Sequence, residues 1–157
     1  MARLDELTSM KVEIMSRIVS DQDICKAIRY NHSDFLEQPD ITNPYSLIYE
    51  NVFPYRVIPN LADEAKTYIN LSLDKWRYIN NSFKTGDIVI YIISHVDIMR
   101  TDYGSCRVDY LANKIDLMLN QTYGLGIGKL QFDGMGETIV NNNFLGLYLT
   151  YRPVEFN

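Results

Sequence analysis

A run of six apolar residues at positions 88–93 constrains the fold more than any other feature of this sequence. It is the longest purely apolar run in the chain, and five of its six residues are β-branched. β-branched and aromatic side chains favour extended backbone. A turn signal, Thr85-Gly86-Asp87, comes directly before the run. Residues 88–93 therefore predict the central strand of a sheet.

A polar segment at residues 97–104 leads from this strand into a predicted amphipathic helix. Ser105 can cap the N-terminus of the helix, which is expected to reach Asn120, with Gly124 beyond its end. Apolar residues recur at helical spacing along one side, namely Val108, Leu111, Ile115, Met118 and Leu119. This stripe predicts a helix face that packs on the core.

Before the central strand, residues 65–73 alternate between apolar and polar side chains. Thr67, Ile69, Leu71 and Leu73 fall on one side, which predicts a half-exposed strand. Residues 76–79 either extend this strand or form a wide connection. The strand is most simply antiparallel to the central strand.

After the helix, residues 127–132 predict a strand and residues 133–136 a turn. The last strand alternates from Leu145 to Tyr151 until Pro153 stops it. The predicted fold class is therefore α+β, with a four-stranded mixed or antiparallel sheet in the order β-β-α-β-β. The main helix is expected on one face of this sheet.

The N-terminal part of the chain predicts two helices followed by an irregular segment. Residues 4–19 carry an apolar stripe, and Ser20 with Asp23 resembles a capping box that opens a short second helix. Residues 31–44 are rich in turn-forming residues and predict an exposed loop. We expect one domain over residues 1–157, with N-terminal helices in 1–30, a loop and arm in 31–64, and the core in 65–152.

Residues 45–59 combine four aromatic residues with closely spaced prolines, which predicts an ordered, extended arm. Its aromatic side chains, Tyr45, Tyr49, Phe53 and Tyr55, need a surface to bury against. That surface is either the sheet of the same chain or a neighbouring subunit. The sequence leaves both alternatives open.

Composition excludes several classes of protein. The net charge of −5 and a pI near 4.9 argue against a surface that holds phosphate backbones tightly. Cys25 and Cys106 suggest neither a disulfide framework nor a zinc site, which favours a reducing cytoplasm. Acidic residues near the N-terminus argue against a signal peptide, and no apolar run is long enough to span a membrane.

Three patterns invite a chemical interpretation, and each is weak. The glycines of residues 124–128 with Lys129 follow a helix and lead into a strand, the reverse of a phosphate-binding loop. Asp40, Glu64 and Lys66 spell a metal-dependent nuclease signature, but Asp40 lies in a predicted loop. His95 and Asp97 lack further ligands.

No motif places a general base beside a serine or cysteine nucleophile. We therefore expect no catalytic, cofactor-binding or metal-binding residues.

The order of elements from about residue 65 to 151, after N-terminal helices and a proline-rich aromatic arm, resembles the tail terminator and tail-completion (neck) proteins of tailed bacteriophages. In that family a helix lies on one face of a mixed or antiparallel sheet, as residues 106–121 would lie here. The resemblance covers about two thirds of the chain. It implies a structural protein of the virion neck, made in the cytoplasm of the host bacterium.

The resemblance also implies particular partners. The family forms rings, commonly six-fold, that stop polymerisation of the tail tube and join it to the head, while DNA passes through the lumen. The implied partners are copies of the chain itself, the tail-tube protein and the head-closure or connector proteins, with no membrane. An acidic wall would repel the moving DNA. The alternatives are a head-closure or other connector protein, a metal-dependent nuclease, and a cellular oligomeric adaptor.

Three long connections are expected to supply the contacts of such a ring, at residues 31–61, 97–104 and 133–143. Aromatic and arginine side chains most often anchor interfaces. The predicted interface residues are Tyr49, Phe53, Tyr55, Met99, Arg100, Tyr103 and Met135.

Overall fold

A computed structural model describes residues 4–80, 83–121 and 129–153 of the chain. The α-helices in these ranges are α1 (Leu4–Val19), α2 (Gln22–Arg29) and α3 (Arg107–Leu119). The strands are β1 (Val52–Phe53), β2 (Thr67–Asn80), β3 (Phe83–His95), β4 (Leu130–Ile139) and β5 (Phe144–Pro153). Short 3-10 helices lie at Phe35–Glu37, Pro44–Leu47 and Val96–Ile98.

The strands form one mixed sheet in the order β1-β2-β3-β5-β4. β1 is parallel to β2, and the other neighbouring pairs are antiparallel. The predicted α+β class, the central strand and the antiparallel pairing of β2 with β3 are confirmed. The sheet has a fifth strand beyond the four expected, because the predicted arm contributes β1.

The central strand β3 is apolar throughout residues 88–93 because both of its faces are covered. Ile88, Ile90 and Ile92 point into the main core beneath the helices. Ile93, on the opposite face, packs in a second cluster with Phe53, Tyr68 and Phe144. A strand covered on both faces needs no polar residue in its middle.

The expectation that β2 is half-exposed is wrong over its first five residues. Tyr68 and Asn70 lie on the face away from the helices, yet both are buried. Part of the arm crosses this face, and the Asn70 amide donates to the Val57 carbonyl at 3.0 Å. The arm thus buries Tyr68 and Asn70, which the alternating pattern had predicted to face solvent.

Helix α3 packs on the sheet through the predicted stripe. Val108, Leu111, Ile115 and Leu119 are buried in the main core. The N-cap is Cys106 instead of Ser105, and the C-cap is Asn120. Gly124 lies outside the described residues.

The N-terminal helices also follow the predicted pattern, with one correction. Helix α1 occupies the predicted range and buries its apolar stripe. The N-cap of α2 is Asp21 and not Ser20: its carboxylate accepts from the backbone N–H groups of Asp23 and Ile24 at 2.9 and 3.3 Å. A carboxylate at a helix N-terminus is also favoured by the helix dipole. None of the helices in the described residues has both the length and the apolar character needed to cross a membrane.

The predicted exposed loop at residues 31–44 is partly buried. Phe35 lies in the 3-10 helix Phe35–Glu37 and is fully enclosed, with the rings of Tyr103 and Tyr110 at 4.9 and 5.2 Å from its own. The sequence pattern did not predict this core residue, because its neighbours are mostly polar and show no helical or strand period.

The predicted turn at residues 133–136 is wrong, because β4 continues through these residues to Ile139. The ring of Tyr148 occupies the space where a side chain at Gly136 would lie. Glycine therefore serves here as a platform for a cross-strand ring. The true turn follows at residues 140–143, where Asn141 Oδ1 accepts from the backbone N–H groups of Asn143 and Phe144.

Candidate interaction surfaces

Three of the predicted interface residues come together at the β1 edge of the sheet. The ring centroids of Tyr49, Phe53 and Tyr55 lie 5.8 to 6.3 Å apart. Tyr49 is 60% exposed and Tyr55 is 52% exposed, whereas Phe53 is buried in the second cluster. We call these three residues the aromatic patch. Its buried member fixes two outward-facing tyrosines to the core.

The backbone beneath the aromatic patch is a tight turn from Ile48 to Val52. Tyr49 has a φ of +66° and donates its N–H to the Val52 carbonyl at 2.8 Å. Left-handed backbone is uncommon for a bulky residue and costs about 1–3 kcal/mol. The surrounding structure must therefore hold Tyr49 in place.

Hydrogen bonds of Asn51 keep this turn in place. Its buried side-chain amide donates to the carbonyls of Ile28 and Thr67 at 3.0 and 2.9 Å. The backbone carbonyl of Asn51 accepts from the backbone N–H of Ile69 at 2.8 Å. The turn is thus bonded both to helix α2 and to strand β2, which makes the aromatic patch a preformed surface.

The rest of the arm is bonded to the sheet of its own chain. Asn70, Asn141 and Asn143 donate side-chain N–H groups to the carbonyls of Val57, Pro59 and Leu61, at 2.8 to 3.0 Å. Of the two surfaces that the sequence left open for the arm, its own sheet therefore receives Phe53 and Val57. The outer tyrosines remain uncovered by the described residues.

Basic side chains flank the aromatic patch. Lys11 of helix α1 donates from Nζ to the Pro54 carbonyl at 2.7 Å, and burial lowers the pKa of its ammonium group. The Arg56 guanidinium lies 3.6 Å from the centre of the Tyr91 ring. Lys66 pairs with Glu50 at 2.9 Å, and that hydrogen bond lowers the pKa of the Glu50 carboxyl. Lys66 thus forms an ion pair, whereas Lys11 and Arg56 contact a carbonyl oxygen and a ring.

A second exposed apolar surface lies on β4, at the opposite edge of the sheet. Phe132, Met135 and Ile139 pair with Tyr151, Leu149 and Leu145 and so share the helix-side face of the sheet. Met135 is 55% exposed and Ile139 is 77% exposed. We call Phe132, Met135 and Ile139 the edge surface. Met135 was expected at a loop tip, and the structure places it in a strand.

The outer edge of β4 has no partner strand among residues 4–80, 83–121 and 129–153, although Leu130 and Phe132 at its start are hydrogen-bonded to Gln121 and Asn120. Unpaired strand edges readily accept another chain, and proteins usually shield them. Glu137, also exposed, stands between Met135 and Ile139 on the same face. The β4 edge therefore combines apolar side chains with one acidic group.

The remaining predicted interface residues do not join either surface. The Tyr103 hydroxyl accepts from the Leu36 N–H at 2.9 Å, and its ring packs on Phe35. Met99 packs against the main core, whereas Arg100 is exposed. Within the segment at 97–104, Arg100 is thus the predicted residue that still faces outward.

Arg107 was not among the predicted site residues, yet it is fully buried at the start of α3. Its guanidinium donates to the carbonyls of Ala27, Tyr30, His32 and Ile98 and lies against the ring of Phe35. Burial lowers the pKa of Arg107 to about 10, so the side chain is charged at neutral pH. A cation in the first turn of a helix is disfavoured by the helix dipole. The position of Arg107 at the start of a predicted helix was therefore the sequence feature that could have indicated its special role.

Asp40, Glu64 and Lys66 of the nuclease signature do not converge on one site. Asp40 pairs with Lys26 at 3.0 Å, while Lys66 pairs with Glu50. Glu64 is exposed before β2. Within the described residues, no group of three or more acidic, histidine or cysteine side chains could hold a metal ion.

His95 and the two cysteines have structural contacts. His95 Nδ1 accepts from the Asp97 N–H at 3.0 Å and so caps the 3-10 helix Val96–Ile98. The Cys25 thiol donates to the Val19 carbonyl, and burial raises its pKa to about 11. Burial also raises the pKa of Cys106. The glycine-rich residues 124–128 lie outside the described residues.

Comparison with known proteins gives one finding. The YomW protein-family model matches residues 21–153, which include both the aromatic patch and the edge surface. No curated protein and no solved structure matches the chain.

Proposed function

Because the chain belongs to the YomW family, a phage-type (Bacillus prophage) protein family, we propose that it is a structural protein of the virion neck. It forms a ring, six-fold in the simplest case, that ends the tail tube and joins it to the head connector. Copies of the chain, the tail-tube protein and the connector proteins are its partners, and DNA passes through the lumen without sequence-specific binding.

The observation that carries this proposal is the pair of exposed apolar surfaces at opposite edges of one sheet. Exposed apolar side chains that lie together mark sites of protein association. A ring subunit needs two different surfaces, one for each neighbour. The β1 edge offers the aromatic patch, and the β4 edge offers the edge surface.

The deciding experiment is a reconstruction of the phage particle, combined with deletion of the gene. We expect density for this chain as a ring between the tail tube and the head connector. The deletion should leave filled heads and separate tails. Absence of the chain from the neck, or normal particles after the deletion, would refute the proposed function. A position directly on the portal would favour a head-closure protein instead.

A role as a structural protein also predicts the outcome of a nuclease assay. Purified chain with magnesium, manganese or zinc is expected to leave DNA intact. DNA cleavage that disappears in Asp40→Ala or Glu64→Ala would support the nuclease alternative, since these are the carboxylates that such a metal site would use.

A further inference from the structure

We propose that neighbouring copies join head to tail, with the edge surface of one copy seated on the aromatic patch of the next. This inference rests on the proposed function, because it names the contact from which the ring is built. The occupant of the aromatic patch is thus a second copy of the chain.

The positions of the two surfaces favour a head-to-tail contact. β1 and β4 are the first and last strands in the order β1-β2-β3-β5-β4, so the surfaces lie at opposite edges of the sheet. A two-fold dimer uses the same patch on both copies, whereas a ring repeats a contact between two unlike patches. Each copy here presents the aromatic patch at one edge of the sheet and the edge surface at the other.

The charges of the two surfaces are complementary. Glu137 stands within the edge surface, and Lys11 and Arg56 flank the aromatic patch. None of these three groups has an ion-pair partner among the described residues. Seating the edge surface on the patch brings the acid toward the two cations, and opposite charges that face each other fix the register of an interface.

The same charges disfavour pairing of two β4 strands. An antiparallel β4–β4 pair would bring Asp133 and Glu137 of one strand toward the same acids of the other. Like charges opposite one another in a sheet are destabilising. Arg152 contacts Asp133 at 3.7 Å but is also engaged by Asp87 at 2.7 Å, so it offsets only part of that repulsion.

The backbone at each edge indicates how the contact is made. The turn at residues 48–52 closes over β1, because Ile48 bridges to Val52 and the Tyr49 N–H is bonded to the Val52 carbonyl. That edge therefore offers side chains instead of free peptide groups. The partner's β4 is covered by the outer rings of Tyr49 and Tyr55, which shield its apolar face from water.

Cysteine crosslinking of the full-length chain tests this contact. Chains carrying Tyr55→Cys and Met135→Cys are mixed and treated with a short bismaleimide. The matched control pairs Met135→Cys with Leu117→Cys, because Leu117 is exposed on α3 outside both surfaces. The unsubstituted chain measures the background from Cys106, which is half-buried, and from Cys25, which is buried.

We expect a crosslinked dimer from the Tyr55→Cys and Met135→Cys mixture, several-fold above both controls. A chain that carries both substitutions should give a ladder of multimers. Crosslinking of Met135→Cys with itself, or a mixture no better than the Leu117→Cys control, would overturn the proposed contact.

The outcome is independent of the test of function. A chain seen in the neck without these crosslinks would keep its function and lose this contact. The crosslinked ladder from a chain absent from the neck would establish the contact and refute the neck assignment.

Discussion

Arg107 places a positive charge where solvent does not reach it, and backbone carbonyls take the place of a carboxylate partner. Two of these carbonyls, from Ala27 and Tyr30, belong to the C-terminal end of α2, where the helix dipole favours a cation. The residue thus joins α2, the following loop and α3 through a single side chain.

Replacement of Arg107 by Met should lower the free energy of unfolding by about 3–5 kcal/mol, because buried carbonyls lose their donors. Arg107→Lys should lose nearly as much, since one ammonium nitrogen cannot reach the same set of carbonyls. Denaturant unfolding measures both variants, with Arg100→Met as the exposed control. A fully stable Arg107→Met would mean that desolvation of the guanidinium cancels its hydrogen bonds.

At the scale of the element, α3 shows how a periodic stripe becomes a packed face. Leu111 and Ile115 are fully buried, one helical turn apart, while Leu117 faces outward. Each truncation on the inner face leaves a cavity, whereas truncation on the outer face does not.

Leu111→Ala and Ile115→Ala should each lower the free energy of unfolding by about 2–5 kcal/mol. Leu117→Ala is the matched control and should change it by less than about 0.5 kcal/mol. Thermal or chemical denaturation gives the comparison. Equal stability of all three variants would show that α3 is packed through another face.

Gly146 of β5 gives a second prediction at the scale of the element. A Cβ on Gly146 of β5 would overlap the Ile92 carbonyl oxygen of β3, whereas one on Gly134 of β4 would meet nothing within 4 Å. Gly146→Ala should therefore separate β3 from β5 and cost about 1–3 kcal/mol, while Gly134→Ala is tolerated. Unfolding curves that fail to separate these two variants would contradict the described register.

Sequence patterns predicted the elements whose faces differ in polarity. α1, α3 and β5 each carry apolar residues at the period of the element, so their position and inner face could be read directly. β3 was predicted from its continuous run of β-branched residues instead, because both of its faces are covered. Only the start of β4 was predicted, because Gly134 and Gly136 are turn formers, and the ring of Tyr148 that packs on Gly136 comes from the neighbouring strand.

The interaction surfaces were predictable only in part. Tyr49 and Tyr55 were predicted as interface residues because they are aromatic residues in a proline-rich segment, and such side chains need a surface to pack against. The edge surface depends on which strand ends the sheet, a property of topology that local patterns do not contain. Met135 was therefore chosen as part of a loop at residues 133–143, of which residues 133–139 are strand. Arg107 was missed because three of its four carbonyl partners lie 75 to 80 residues away in sequence.

At the scale of the whole molecule, buried weak acids lower the stability at alkaline pH, whereas the lowered pKa values of Lys11 and Arg107 act in the opposite direction. Burial raises the pKa of the Cys25 thiol from 9.0 to about 11 and also raises those of the Tyr68, Tyr110 and Tyr151 phenols. The folded chain keeps protons that the unfolded chain releases. The stability that these four groups contribute is thus complete below about pH 9 and is lost as the pH rises.

Between pH 9 and pH 11 the free energy of unfolding should fall by on the order of 2 kcal/mol through Cys25 alone. Cys25→Ala should flatten this part of the profile and keep the later decline due to the tyrosines. Denaturant unfolding at a series of pH values measures both profiles. The same slope in the variant and the original chain would contradict the assignment to Cys25.

The interior position of β5 has a consequence for synthesis of the chain. β5 lies between β3 and β4, although it follows both in sequence. The second edge of β3 therefore stays unpaired while residues 96–143 are made, roughly 2 to 10 seconds at about 5 to 20 residues per second. During translation this apolar strand is exposed to other nascent chains. Slow codons in that interval would lower the yield of folded protein without changing any residue.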